Sequence, residues 1–239
     1  MDETSLASAV GVAPAEPRTG AQRSASWLVD DVLSCVLHLG DAAMAYVLAD
    51  QGHEVVVAGD DVTISRHPNI FFVRTQGDRL PFAPQSFDVV VAPHLHESPI
   101  ALAEYARVLR PDGLLSTMTR SYDDSIPWMR RLRDIVGQRP IAPPGADTFT
   151  ASGLFAAPEI EEFGTWEELD LPGALRFAAE VGNGDEEIFP VVRDLFTSNA
   201  SHTGFLRLRH QTHCMRARVL RENLGQEQAA PDATLLELT

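Results

Sequence analysis

Residues 34–61 read SCVLHLGDAAMAYVLADQGHEVVVAGDD, and this stretch decides the fold. Cys35 to Leu39 is a short apolar run, which is typical of a strand buried on both faces. Between Asp41 and Gln51 the apolar positions follow a helical period, and Gly52 stands where such a helix would end. Glu54 to Ala58 is a second, β-branched run. Strand, helix and strand in this order predict a βαβ unit with a right-handed crossover.

Composition narrows the class of protein. A chain of 239 residues has room for one α/β domain with a substantial core. Its formal net charge of -15 disfavours nucleic acid or an anionic membrane surface as the main partner. No apolar segment approaches the length of a membrane span, and the sequence does not begin like a secretory signal. With only two cysteines, Cys35 and Cys214, we expect a reduced, cytoplasmic protein.

The two ends of the chain differ from its middle. Residues 1–25 are rich in small residues and proline without periodicity, so we predict a flexible N-terminal tail. A short helix is expected from Trp27 to Val32. Residues 26–222 would then form the domain, and residues 223–239 a C-terminal tail.

Residues 36–44 carry the first sign of a family. They read VLHLGDAAM, which resembles the V-L-D-L-G-x-G-x-G opening of the class I S-adenosylmethionine (SAM)-dependent methyltransferases. Gly40 matches the first glycine of that turn, but Ala42 and Met44 stand at the other two. The family's glycines allow backbone to approach the ligand closely, and side chains at these positions oppose that approach.

The end of the second strand departs from the family as well. The acidic residue that binds the ribose hydroxyls in relatives falls on Gly59, and Asp60 and Asp61 follow it. The resemblance therefore implies cofactor contacts from Gly40, Asp41, Asp60 and Asp61. It also implies that SAM binds weakly or not at all.

Residues 76–91, QGDRLPFAPQSFDVVV, give the strongest match, to the family's L-P-F and F-D-V-V segments. By this resemblance Asp78 accepts a hydrogen bond from the adenine amino group, with Arg79 and Leu80 as neighbouring cofactor contacts. The alternative is an aspartate that merely belongs to a turn.

The fourth strand, predicted at Asp88 to Ala92, is followed by two histidines, His94 and His96. Ligands of open α/β sheets bind beyond the carboxyl ends of the strands, so these histidines are our candidate catalytic residues, as general base or as acceptor-orienting groups. If the protein is active, His96→Ala should lower turnover more than cofactor affinity, and unchanged turnover would remove His96 from the site. Loop histidines bonded to backbone are the alternative. Two histidines without a third ligand do not predict a metal.

Two later motifs extend the resemblance to about residues 27–220. Residues 107–113, RVLRPDG, are close to the family's R-V-L-R-P-G-G. The proline and glycine predict a turn from a helix into a fifth strand, Leu114 to Met118, so this motif is interpreted as structural. Residues 212–218, THCMRAR, resemble an actinobacterial-type subgroup. The family implies a Rossmann-like α/β fold: a seven-stranded mixed sheet of order 3-2-1-4-5-7-6 with helices on both faces and only the last strand antiparallel. Five arginines near this end, from Arg207 to Arg221, are interpreted as a solvated face.

Two functions remain open. One is a SAM-dependent methyltransferase acting on a small-molecule or lipid-like acceptor through an impaired cofactor site. The other is a catalytically inactive pseudo-methyltransferase that binds a protein partner, as a homo- or hetero-dimer, in an interaction or regulatory role. A dinucleotide-binding enzyme is disfavoured because no G-x-G-x-x-G motif is present.

Overall fold

The computed structural model describes residues 19–40, 42–59, 67–75, 79–93, 95, 98–136, 142–182, 184 and 186–223. These residues form a seven-stranded sheet of order β3-β2-β1-β4-β5-β7-β6. The strands are β1 (Cys35–Leu39), β2 (Glu54–Gly59), β3 (Ile70–Arg74), β4 (Phe87–Val91), β5 (Leu109–Tyr122), β6 (Glu159–Leu169) and β7 (Leu206–Arg218). The predicted fold class and strand order are confirmed.

Parallel pairing at the centre of the sheet follows from the βαβ unit. Strand β1 pairs in parallel with β2 on one side and with β4 on the other. Strand β7 is inserted antiparallel between β5 and β6, as predicted. Val36 and Leu37 on β1 are both fully buried but belong to clusters on opposite faces. Coverage of both faces explains why this strand reads as an unbroken apolar run.

The helices pack in three groups. They are α1 (Gly20–Leu28), α2 (Ala42–Asp50), α3 (Pro99–Val108), α4 (Pro127–Val136), α5 (Asp147–Thr150), α6 (Leu171–Val181) and α7 (Phe189–Ala200), with 3-10 turns at Glu186–Ile188 and Arg221–Asn223. Helices α1 and α2 share one core cluster with the sheet, and α3 packs in a second cluster on the other face. Helices α4, α6 and α7 form a third cluster with the start of β7.

The first helix lies earlier in the chain than predicted. It runs from Gly20 to Leu28, so the prediction of a helix from Trp27 to Val32 was wrong, and residues 20–25, predicted as tail, are helical. A capping box explains the difference. The Thr19 hydroxyl accepts from the Gln22 N–H, and the Gln22 side chain accepts from the Thr19 N–H. Residues 1–18 and 224–239 lie outside the described residues.

Strand β5 is longer at both ends than the predicted Leu114 to Met118. The segment read as a helix-to-strand turn is instead a bulge, where the pairing with β4 shifts register and Asp112 adopts a φ of +61°. A Cβ on Gly113 would lie 2.9 Å from the Arg110 carbonyl oxygen and 3.0 Å from that of Asp88, so the bulge needs glycine. Beyond it β5 continues to Tyr122 beside β7.

The carboxylate of Asp88 connects three elements. Its Oδ2 accepts the Cys35 N–H at 2.8 Å, and its Oδ1 accepts from Arg110 Nη1 at 2.8 Å. The first strand, the fourth strand and the bulge are therefore joined through one side chain. The aspartate of F-D-V-V and the second arginine of R-V-L-R-P thus act together.

The remaining sequence features fit this architecture. Arg216 lies over the Trp27 ring, 4.5 Å from its centroid, and pairs with Glu159 at 2.7 Å, while Arg218 pairs with Asp30 at 3.0 Å. These β7 arginines have partners within the chain, which supports the interpretation of a solvated face over a binding patch.

Both cysteines are free, and burial raises the pKa of Cys214 to about 12. Across the described residues, no helix has the length and apolarity that a membrane crossing requires.

Replacing Asp88 by asparagine should lower the free energy of unfolding by about 1–2 kcal/mol, because an amide cannot accept from both the Cys35 N–H and Arg110 with full charge. Urea denaturation measures the change. Asp134→Asn is the control, since that carboxylate is exposed on α4 and should change stability by less than about 0.5 kcal/mol. Equal effects of the two substitutions would contradict the role given to Asp88.

Candidate functional site

A cavity of about 350 Å³ lies between the α1–α2 layer and the sheet, near the carboxyl ends of β1, β4 and β5. This is where open α/β sheets bind ligands. Its described lining consists of Gly20, Ala21, Ser24, His38, Ala43, Met44, Val47, Pro93, Met118, Thr119, Arg120, Thr165 and Thr212. Helix α1, part of the segment predicted to be tail, forms one wall. A Cβ on Gly20 would collide with the Thr165 side chain, so glycine lets α1 approach β6 closely.

The turn after β1 borders this cavity and retains its first glycine for a steric reason. Gly40 has a φ of +155°, and a Cβ there would lie 3.2 Å from Pro93 Cγ and 3.6 Å from His38 Cε1. His38, at the family's acidic position, is fully buried and lines the cavity. Gly40, predicted as a cofactor contact, is therefore adjacent to two residues of the cavity lining.

Met44 occupies a position where the family has glycine, and its side chain is only 8% exposed. It lines the cavity and also packs in the α1–α2 core cluster with Ala45 and Leu48. The side chain thus takes up room at the inner wall. Removing it would open a void in the core as well as enlarge the cavity.

Gly59 ends β2 in open surroundings. A Cβ at this position would meet nothing within 4 Å among the described atoms. An acidic side chain could be accommodated here without steric conflict, but the chain provides none at this residue.

The L-P-F segment is held by a partly buried charge pair on α3, Glu104 and Arg107. Glu104 Oε2 accepts the Leu80 N–H at 2.9 Å, and Arg107 Nη2 donates to Glu104 at 2.7 Å. Arg107 also donates to the carbonyl oxygens of Phe82 at 2.8 Å and Leu80 at 3.0 Å. The hydrogen bond from Arg107 holds the pKa of Glu104 below its usual range. The sequence predicts a purely structural role for R-V-L-R-P. In the structure its first arginine, Arg107, also fixes the Leu80 segment, which is predicted to contact the cofactor.

The structure separates the predicted cofactor residues that it describes. Arg79 and Leu80 border an open groove beside Ile100 and Ala103 of α3, whereas Gly40 lies next to His38 and Pro93 of the cavity lining. The other predicted site residues lie outside the described residues, so their roles stay predictions; they are Asp41, Asp60, Asp61, Asp78, His94 and His96.

A chain of three hydrogen-bonded polar side chains at the cavity was not predicted from the sequence. Arg120 Nε donates to His210 Nδ1 at 3.1 Å, and His210 Nε2 lies 2.7 Å from Glu167 Oε2. Since Nδ1 accepts, the ring proton resides on Nε2 and is donated to Glu167. Burial, reinforced by the positive charge of Arg120, lowers the pKa of His210. A sequence feature that could have indicated this chain of polar side chains is Arg120, which lies two residues beyond the predicted end of β5 at Met118.

The described residues hold no group of three potential metal ligands. His213 contacts Glu162 at 3.2 Å, whereas the adjacent Cys214 is fully buried. The two side chains point to opposite faces of β7, as expected for neighbours on a strand.

Comparison with known proteins agrees with this geometry. Residues 34–117 match a methyltransferase domain family. An uncharacterized methyltransferase of Mycobacterium tuberculosis, Rv3342, is 28% identical over 144 residues, covering 56% of this chain and 59% of the relative. An uncharacterized methyltransferase-like protein of Schizosaccharomyces pombe is 25% identical over 127 residues, covering 47% of this chain and 50% of the relative. The chain thus spans between half and three fifths of these relatives' length.

Solved structures share the fold. A candidate Type II methyltransferase from Anaeromyxobacter dehalogenans superimposes with a TM-score of 0.56 at 17% identity, over 82% of this chain and 94% of that one. The YcgJ protein of Bacillus subtilis gives 0.50 at 13% identity, over 82% and 97%. The chain therefore contains a methyltransferase-like domain and has the Rossmann-like fold of these structures. SAM is the cofactor that the resemblance to this family implies.

Some of the described residues are compatible with a SAM site, and others are not. The sterically required Gly40 and the Leu80 segment held by Glu104 and Arg107 are compatible with a bound cofactor. Gly59 offers space but no carboxylate, and the buried Met44 reduces the room beside the turn.

The lowered pKa of His210 makes stability depend on pH. The folded state binds this proton less readily than the unfolded state, so stability is full above the ordinary imidazole pKa of about 6.5 and falls as the pH drops below it. Buried His53, whose pKa is also lowered by burial, contributes in the same direction. We expect His210→Gln to lose less stability than the parent between about pH 7.5 and about pH 5.5 in urea denaturation.

His213→Gln is the matched control on the same strand and should keep the parent's pH dependence. An unchanged pH dependence in His210→Gln would contradict the neutral state assigned to His210.

Proposed function

We propose that this protein is a SAM-dependent methyltransferase for a small-molecule or lipid-like acceptor, with a cofactor site weaker than is usual in its family. The observation that carries the proposal is the cavity of about 350 Å³ at the carboxyl ends of the strands, whose lining includes His38 and Pro93 next to Gly40. A fold kept only as a scaffold has no need of such a space at this position.

SAM, when bound, supplies a methyl group on a sulfonium, which is already activated for transfer. The protein's contribution is then to position the reactants and exclude water. Gly40 and the Leu80 segment would hold the cofactor. Residues of helix α1, together with Met44 and Met118, line the cavity. Chemistry of this kind does not require a dedicated catalytic acid.

The cofactor site is weakened chiefly at Gly59. One charge-assisted hydrogen bond contributes about 1.5–3 kcal/mol, so its loss lowers affinity roughly ten- to a hundredfold. Asp60, the next residue, is the alternative source of a ribose carboxylate in our proposal.

The second candidate is a pseudo-methyltransferase with an interaction or regulatory role. Met44 and Gly59 favour it, because both differ from the family at positions that bind the cofactor. Cofactor binding distinguishes the two candidates.

Gly59→Glu should tighten SAM binding roughly tenfold or more in calorimetry, because the open space at this residue admits a carboxylate. Gly59→Gln, which has the same shape without the charge, is the matched control and should gain much less. Met44 is best left unchanged in this experiment, since its removal would also disturb the core.

Equal affinities for the parent, Gly59→Glu and Gly59→Gln would contradict a site weakened at Gly59. Undetectable binding by all three would favour the pseudo-methyltransferase.

A further inference from the structure

One of the described side chains that line the cavity is charged. Among its described lining residues Arg120 is the only charged side chain, in a chain whose formal net charge is -15. No carboxylate of the described residues lies within 4.0 Å of its guanidinium nitrogens. A positive group at this position, in a strongly acidic protein, is suited to attract an anion.

Arg120 is oriented before any ligand arrives. Its Nε is bonded to His210 Nδ1 at 3.1 Å, and His210, which is 5% exposed, is bonded in turn to Glu167 at 2.7 Å. The bond to Nε restricts the side chain and leaves the terminal Nη groups for another acceptor. A guanidinium held in this way loses less conformational entropy on binding than a mobile one.

Other residues of the lining contribute either hydroxyl groups or apolar surface. Hydroxyl groups come from Ser24, Thr119, Thr165 and Thr212, and apolar surface comes from Met44, Val47, Pro93 and Met118. The volume of about 350 Å³ is at the small end of ligand sites. Such a space matches a compact molecule with an apolar body and one polar end.

We propose that the cavity binds a small organic acid, with its carboxylate on Arg120 and its apolar body against Met44 and Met118. A planar carboxylate matches the fork of two guanidinium N–H groups. The identity of this acid as the methyl acceptor rests on the proposed function, whereas its binding does not require SAM. Arg120 is a binding residue in this proposal, and His210 and Glu167 position it.

Calorimetric titration of the full chain with hexanoate, 1-hexanol and hexyl phosphate, without SAM, tests the proposal. Hexanoate should bind at least about tenfold more tightly than hexanol, because only the acid gains a charge-assisted pair with arginine. Arg120→Gln should remove that advantage. Arg131→Gln, an exposed arginine of α4 outside the cavity, is the matched control and should keep it.

Equal affinities for hexanoate and hexanol in the parent protein would overturn the proposal, and this comparison does not depend on any variant folding. Unchanged hexanoate binding by Arg120→Gln would overturn the role of the arginine. Tighter binding of hexyl phosphate than of hexanoate would overturn the assignment to carboxylic acids. Because SAM is absent from these titrations, failure here is distinct from failure of the proposed methyltransferase function.

A positioning role for the two partners of Arg120 predicts a graded effect. Glu167→Gln keeps a hydrogen-bond acceptor for His210 but removes the charge, so hexanoate affinity should fall less than in Arg120→Gln while the preference for hexanoate over hexanol remains. Loss of that preference in Glu167→Gln would contradict the positioning role.

Discussion

The hydrogen bonds of Asp88 are the constraint on which the rest of the structure depends. This carboxylate accepts the first N–H of β1 and the guanidinium of Arg110, so the start of the first strand, the fourth strand and the β5 bulge are fixed to one another. Parallel pairing of β1 with β4 places the carboxyl ends of the two strands side by side. The cavity lies next to these ends.

The junction of α3 and β5 contributes both to the sheet and to the Leu80 segment. Arg110, at the start of β5, holds the sheet through Asp88, while Arg107, in the last turn of α3, holds the Leu80 segment through Glu104 and through backbone carbonyls. The two arginines of R-V-L-R-P therefore have separate functions. The same short motif joins the centre of the sheet to a predicted cofactor segment, which explains why its residues occur together with L-P-F and F-D-V-V in this chain.

Local patterns were enough to predict most of the fold. The apolar runs at β1, β2 and β4 gave correct strands because each strand is buried by neighbours on both faces, and the family resemblance gave the strand order. The start of α1 was missed, although the Thr19-x-x-Gln22 capping box is visible in the sequence. The length of β5 could not be predicted, because its last residues are ordered by pairing with β7.

Candidate site residues could be predicted only where a motif is local. The cofactor roles of Gly40 and Leu80 come from the family resemblance of such motifs and stay predictions, whereas Arg120 and His210 are 90 positions apart and meet only through the β5–β7 pairing. Met44 was interpreted as a group that opposes the ligand, and its additional role in the core follows from the packing of α2 against the sheet. No sequence pattern within a single segment indicates such contacts between distant parts of the chain.

We propose above all that this methyltransferase-like fold still binds SAM, through a weakened site. Calorimetric titration of the unmodified protein with SAM and with its demethylated product is the direct test. Saturable binding of both compounds is expected, with dissociation constants of about 10 μM to about 1 mM. The absence of binding by either compound at millimolar concentration would contradict it.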